Sequence, residues 1–368
     1  MMIILYILLF LKGSIILADD TTNNIHYFTS GPNLVSFNIL PENTSIDNIF
    51  EDIEYDLVSI ISEGEISHQV NNEWVGSLTN IEYDKGYWII TSNVTLLDIQ
   101  GDLIEPSAYI LYPGANLISY PYSNSQSIEN GIPFYMNNNL YAIIGENSAA
   151  LFSEGQIFGS LSHFEPNKGY WFLMNSLIPF EYNIPIEQHE DNNDYRMDDD
   201  LDIDYKQSTM QSVFFIKQAF YNGANLENSD NILIHCNNTY VGGRAWSGYM
   251  TDVIAMGNDT YSDTENYCEE MQNISITIEN GNNSYEMYIL GNTEWHNNEI
   301  SIVSISNFEL GDINFSNTLN VTDIIIMIDH IIQNNLLINE HKLLLADINF
   351  DNSINIADII LIVDLIIE

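Results

Sequence analysis

The chain has 368 residues, a formal charge of −44 and only eight Lys and Arg. Such a surface repels polyanions, which argues against nucleic acid and anionic membrane as partners and favours divalent cations. Apolar residues make up 45% of the sequence and there are 22 Tyr, so folded cores are expected, and the length allows two to four domains.

Residues 1–18 read as a signal peptide. An apolar run from Met1 to Leu11 is broken by Lys12 and leads through Ala18 to Asp19-Asp20. The protein is therefore expected to be secreted or held at the cell surface. No later segment reaches the length of a membrane span.

Next comes an internal repeat. Gly31-Pro-Asn-Leu-Val-Ser-Phe37 returns as Gly114-Ala-Asn-Leu-Ile-Ser-Tyr120, and Ile60-Ile61 returns as Ile143-Ile144. Gly76-Ser-Leu78 and Lys85-Gly-Tyr-Trp88 return as Gly159-Ser-Leu161 and Lys168-Gly-Tyr-Trp171, all at one offset of 83 residues. Constant spacing over four blocks predicts a duplicated domain, over 27–105 and 109–185. Each copy reads as a small α+β unit: a strand, a short helix capped by Thr44 or Ser45, then three strands. The Lys-Gly pair reads as a turn. In the Tyr-Trp strand neighbouring rings point to opposite faces, so one should enter the core and the other a surface or an interface. Trp88 and Trp171 are candidates for a paired sugar platform. Core packing with an interdomain contact is the plainer reading. The repeat resembles modules of secreted and surface proteins of marine bacteria, where Asn-Leu-Ile-Ser and Gly-Tyr-Trp recur.

Residues 186–204 are strongly acidic, with Asp198-Asp199-Asp200, and read as a solvated linker. Residues 205–307 carry apolar runs at Val213–Ile216, Ile232–Ile234, Ile274–Ile278, Tyr285–Leu290 and Ile300–Ile305, with Asn-Gly turns at Asn222-Gly223 and Asn280-Gly281. That pattern predicts an antiparallel β-sandwich. Val241 to Asp263 reads as its least regular stretch. Arg244 and Trp246, with Asp252 and Asp259, could hold a glycan or a carboxylate by a fork contact and a stacking face. A structural Arg paired to an acid is the alternative. Val241-Gly-Gly-Arg-Ala-Trp246 and Ala255-Met-Gly-Asn-Asp259 resemble a β-rich domain of the same marine secreted proteins. Cys236 and Cys268 are too few for a disulfide scaffold; one bridge and two free thiols both fit. No catalytic motif emerges, so a non-enzyme is expected.

Residues 308–368 hold two similar stretches, starting 35 residues apart at Asp312 and Asp347. Oxygen-bearing side chains fall at loop positions 1, 3, 5, 9 and 12: Asp312, Asn314, Ser316, Asn320 and Asp323, then Asp347, Asn349, Asp351, Asn355 and Asp358. Backbone carbonyls of Thr318 and Ser353 would complete each set. Asn317 and Asn352 stand where the loop must turn sharply, and Asn tolerates the left-handed conformation. A hard cation, calcium, suits these donors. The second loop has three carboxylates against two in the first, so the second site is expected to be the tighter of two. The Gly-Asp-x-Asn opening, the tandem copy and the Asp at position 12 resemble a type I dockerin over 310–368. That resemblance implies an EF-hand-like helical pair and a cohesin-like or other protein partner on the C-terminal helices. No basic residue stands at Val321-Thr322, Ile356-Ala357, Asp329-His330 or Asp364-Leu365, where family partners are recognised. Taken together, the expectation is a multidomain α+β and all-β, secreted, calcium-binding, non-catalytic interaction protein. The alternative is a polysaccharide-binding protein, or one associated with polysaccharide degradation.

Overall fold

A computed structural model describes residues 22–71, 73–103, 108–186, 205–281 and 283–367. The predicted signal peptide and nearly all of the acidic linker lie outside them. The described chain is largely β. No helix in it is long and apolar enough to cross a membrane.

The two repeats fold alike. Each is built on a five-stranded antiparallel sheet. In the first repeat its order is Gly31–Ser36, Gly86–Thr91, Leu57–Ser62, Glu65–Val70 and Glu73–Gly76. In the second it is Gly114–Ser119, Gly169–Met174, Leu140–Ile144, Ala149–Ser153 and Gln156–Phe158. A four-residue helix, Ile46–Ile49 or Ile128–Gly131, follows Ser45 or Ser127 at its N-cap. Additional strands, Thr22–Phe28 and Thr95–Leu103, pair outside the first sheet. The Tyr-Trp strands alternate as their period requires. Tyr87 and Tyr170 enter the cores of their own modules, while Trp88 and Trp171 meet Leu34 and Leu117 between the modules.

That junction has an approximate twofold symmetry written in the same offset as the sequence. Leu34 N–H donates to Glu146 Oε2 at 3.3 Å, and Leu117 N–H donates to Glu63 Oε2 at 3.1 Å. Ser36 N–H donates to Asn167 O, and Ser119 N–H to Asp84 O. Val35 bridges Lys168 and Lys85 bridges Ile118. The Lys-Gly pair is therefore not the turn itself, which falls at Tyr83-Asp84. Its glycine opens the strand where the modules come closest: a Cβ on Gly86 would lie 2.7 Å from Leu117 Cδ1, and one on Gly169 2.8 Å from Val35 O. Glu146 also receives Lys168 Nζ at 2.9 Å. Glu146→Ala leaves the buried Leu34 N–H without its acceptor, and a loss of about 1–3 kcal/mol is expected. Urea midpoints of the two proteins test this; an unchanged midpoint would show that the carboxylate contributes nothing to the junction.

Residues from Gln211 to Ser306 hold a strongly curved, half-barrel-like sheet, in which Asn283–Leu290 pairs one half through its first residues and the other half through its last. Its order is Ala224–Asn225, Gln211–Tyr221, Ile300–Ser306, Asn283–Leu290, Ser275–Asn280, Asn231–Cys236 and Thr239–Ala245. Thr251–Met256 pairs the first half of Gln211–Tyr221. Gln211–Tyr221 and Ile300–Ser306 run parallel, so the all-β expectation for this unit holds while its purely antiparallel pairing is corrected by one parallel pair. The curl brings Thr239–Ala245 against Thr251–Met256, where a Cβ on Gly242 would sit 1.8 Å from Ile254 O. Much of the stretch read as irregular, Val241–Asp263, is thus strand. Asn222-Gly223 turns as predicted, with both residues at positive φ.

The C-terminal segment contains the only described helices of seven or more residues: Val321–Ile331, Glu340–Ala346 and Ile356–Ile367. A tandem of helix–loop–helix units needs four, and the first loop is entered from the strand Ile300–Ser306. Nor does the segment stand apart as a docking module. Phe308, Leu345, Phe315 and Leu344 pack with Leu290 of the curved sheet. His341 is buried at this joint, stacked on Phe220 with ring centroids 4.9 Å apart. The dockerin assignment, with its EF-hand-like pair, is therefore overturned.

Candidate metal centre

The two acidic loops follow each other residue by residue. In the first, Asp323 Oδ1 accepts from Ile313 and Asn314 N–H at 3.0 and 3.1 Å, and its Oδ2 accepts from Asn320 N–H at 3.1 Å. In the second, Asp358 Oδ1 accepts from Ile348 and Asn349 N–H, and Oδ2 from Asn355 N–H. Asp312 takes Ser316 and Asn317 N–H; Asp347 takes Asp351 and Asn352 N–H. Asp323 and Asp358 are 0% exposed, so these carboxylates act inside the segment. Without such donors, burying an ionised group would be strongly unfavourable.

Backbone strain repeats as well. Asn317 and Asn352 adopt positive φ as their type suggests, and so do Phe315 and Phe350 two residues earlier. For a Phe this conformation is disfavoured, and the surrounding contacts must impose it. Phe315 is held by stacking on Phe308 at 4.6 Å between centroids.

Asn320 and Asn355 do not face the loops with their oxygens. Each caps the following helix, accepting from Thr322 or Ala357 N–H at 2.9 Å, while its amide donates to Thr318 or Ser353 O. Ser316 Oγ lies 3.0 Å from Thr318 O. In the second loop Asn349 and Asp351 bond each other, Asn349 Nδ2 to Asp351 Oδ2 at 3.0 Å, and Asp351 Oδ1 accepts from Ser353 N–H at 2.8 Å. In the first loop Asn314 Oδ1 is buried and accepts no hydrogen bond. Among the described residues no three His, Cys, Asp or Glu side chains converge into a metal cluster. The donors here are mixed carboxylate, amide, hydroxyl and carbonyl oxygens, the set a hard cation takes.

The other predicted site residues are occupied elsewhere. Trp88 is 1% exposed between the repeats, so its ring presents no platform; Trp171 is half-buried, packed against Leu34, Trp88 and Leu117 and against the core of the curved sheet. Trp246 is buried in the core of the curved sheet. Arg244 Nη2 donates to Asn147 O of the second repeat, and its Nε lies 3.9 Å from Asp252 Oδ1. Asp252 also accepts from Ala149 N–H and Ser160 Oγ, so Arg244 and Asp252 join two domains. Burial pushes the Asp252 carboxyl above the ordinary range, with Arg244 opposing. Asp259 accepts from Thr209, Tyr261 and Ser262 N–H and fixes its own loop. Cys236 and Cys268 are joined in a disulfide. Sequence reasoning missed the capping role of Asn320 and Asn355. The pattern Asn-x-x-Asp ahead of an apolar run was the available signal.

No protein-family model, no curated protein and no solved structure matches this chain. The dockerin resemblance and those to marine secreted modules therefore have no support from known proteins.

Proposed function

We propose that this chain is an exported, non-catalytic binding protein whose C-terminal loops take up calcium. The carrying observation is Asn314 Oδ1: a buried acceptor with no donor, set in a loop with two buried carboxylates. A cation offers that oxygen what no neighbouring N–H supplies. Calcium, when bound, contributes positive charge and six to eight coordination positions. Asp312, Asn314, Ser316, Thr318 and Asp323 would hold it in the first loop; Asp347, Asn349, Asp351, Ser353 and Asp358 would hold it in the second. Asn320 and Asn355 hold the position-7 carbonyls in place and cap the exiting helices. The Cys236–Cys268 bridge supports export, because such bonds persist in oxidising compartments.

Calcium is expected to raise the melting temperature of the chelator-treated full chain, since a ligand that binds only the folded form stabilises it. Two binding steps are expected by calorimetry. Asp358→Ala should weaken calcium binding more than Asp323→Ala, by at least about tenfold, because the second loop carries the extra carboxylate. Equal affinities in the two variants would remove the charge ordering. No heat and no melting shift at millimolar calcium would remove the cation reading altogether.

A further inference from the structure

A groove of about 900 Å³ crosses the second repeat, between its short helix Ile128–Gly131 and the hairpin of Ala149–Ser153 and Gln156–Phe158. That volume is in the range of small-ligand sites. The duplication supplies its own control. After the short helix each repeat makes one 3₁₀ turn, Glu51–Ile53 in the first and Phe134–Met136 in the second. The third residue of the turn, Ile53 or Met136, is buried in the module core. The first two face solvent in both copies. In the first repeat they are Glu51 and Asp52, the residue type water prefers. In the second they are Phe134 and Tyr135, and Phe134 is 89% exposed on the groove wall. A shared framework that exchanges two carboxylates for two rings, one of them on the wall of a groove, indicates a ligand with an apolar face.

The remaining chemistry narrows that ligand. Asn130, Gln156 and Ser162 line the groove with amide and hydroxyl groups, and Glu129 and Glu154 add acceptors. No Lys or Arg lines it, and its one basic side chain, His163, stands against two carboxylates, so the lining does not favour an anion. A sugar ring fits both halves: its C–H face lies on an aromatic ring, and its hydroxyls exchange hydrogen bonds with amides and carboxylates. We propose that the groove of the second repeat binds a neutral glycan, with Phe134 as the stacking platform. This site is separate from the cation loops and does not depend on them.

The test is affinity electrophoresis of the full chain, in calcium, through gels containing a β-1,3-glucan, a β-1,4-xylan or a galactomannan, with alginate as the acidic control. Retardation by at least one neutral polysaccharide and not by alginate is expected. Phe134→Ala should weaken that retardation at least tenfold while leaving the melting temperature unchanged, because the ring is already in water. Retardation by none of the neutral polysaccharides overturns the proposal, as does a Phe134→Ala chain that is retarded as strongly as the parent. Retardation by alginate alone also overturns it.

Discussion

Acidification from pH 7 to pH 4 is expected to destabilise the protein at two separate places, by roughly 3 kcal/mol at each. His26 and His341 are both buried, and burial lowers each from the ordinary 6.5 to about 4. At His26 the nearby Lys168 charge adds to the effect. The unfolded chain therefore takes up protons first. Stability from each neutral imidazole is complete above pH 6.5, falls as the pH drops toward 4, and is constant below that. The local contacts explain why a second proton is unwelcome. His26 Nε2 is buried without a partner, its ring 4.7 Å from that of Phe37. His341 Nδ1 accepts from Gly223 N–H at 3.2 Å while Nε2 meets Ser306 Oγ at 2.7 Å, so a proton on Nδ1 would face a donor. Half-buried Glu165 and buried Asp252, raised by desolvation, act in the opposite direction as they take up protons. Variants separate the terms. His26→Phe should remove the pH dependence of the first repeat, and His341→Gln that of the C-terminal joint, read as urea midpoints at pH 7, 5.5 and 4. Parent and variants with the same pH dependence would show that neither imidazole is responsible.

Reduction of the Cys236–Cys268 bridge is expected to cost about 3–4 kcal/mol, from the closure entropy of a loop with a sequence separation of 32. Cys236 ends a strand of the curved sheet, and Cys268 lies in the long connection after Thr251–Met256, bridged there to Gly257. The bridge therefore ties an irregular segment to the sheet at its middle, with Asp259 fixing the same segment nearby. A double Cys→Ser variant should melt several degrees lower than the oxidised parent and match the parent in reductant. Two titratable thiols in the denatured, unreduced protein would show that the bridge does not form.

The regular parts of this fold were legible because they repeat. The 83-residue offset marked both modules, and the period-two alternation required one ring of the Tyr-Trp pair inward and one outward; that Tyr87 is the inward one and Trp88 the one between domains comes from the fold. The strands of the curved sheet were legible from β-branched runs and Asn-Gly turns. Their arrangement was not: nothing local distinguishes Ile300–Ser306 as a parallel neighbour of Gln211–Tyr221. Arg244 drew attention as one of few cations, yet the sequence could not show that Asn147, 97 residues away, would occupy it. The C-terminal loops illustrate a different limit. Spacing identified the oxygen-rich positions, but an oxygen at position 9 serves a helix cap as readily as an ion, and only the fold assigns Asn320 and Asn355 to the cap. Phe134 gave no signal, because an exposed ring is informative only beside the Glu51 that replaces it in the other copy.

The junction between the repeats also limits how far such a chain can grow. Most tandem repeats stack head to tail, so each new copy leaves a free face for the next. Here the copies meet face to face, each edge strand turned toward the other and each hooked by its neighbour's glutamate. An interface of this kind satisfies both partners at once, as in a closed dimer. A third copy would find this matching surface already taken.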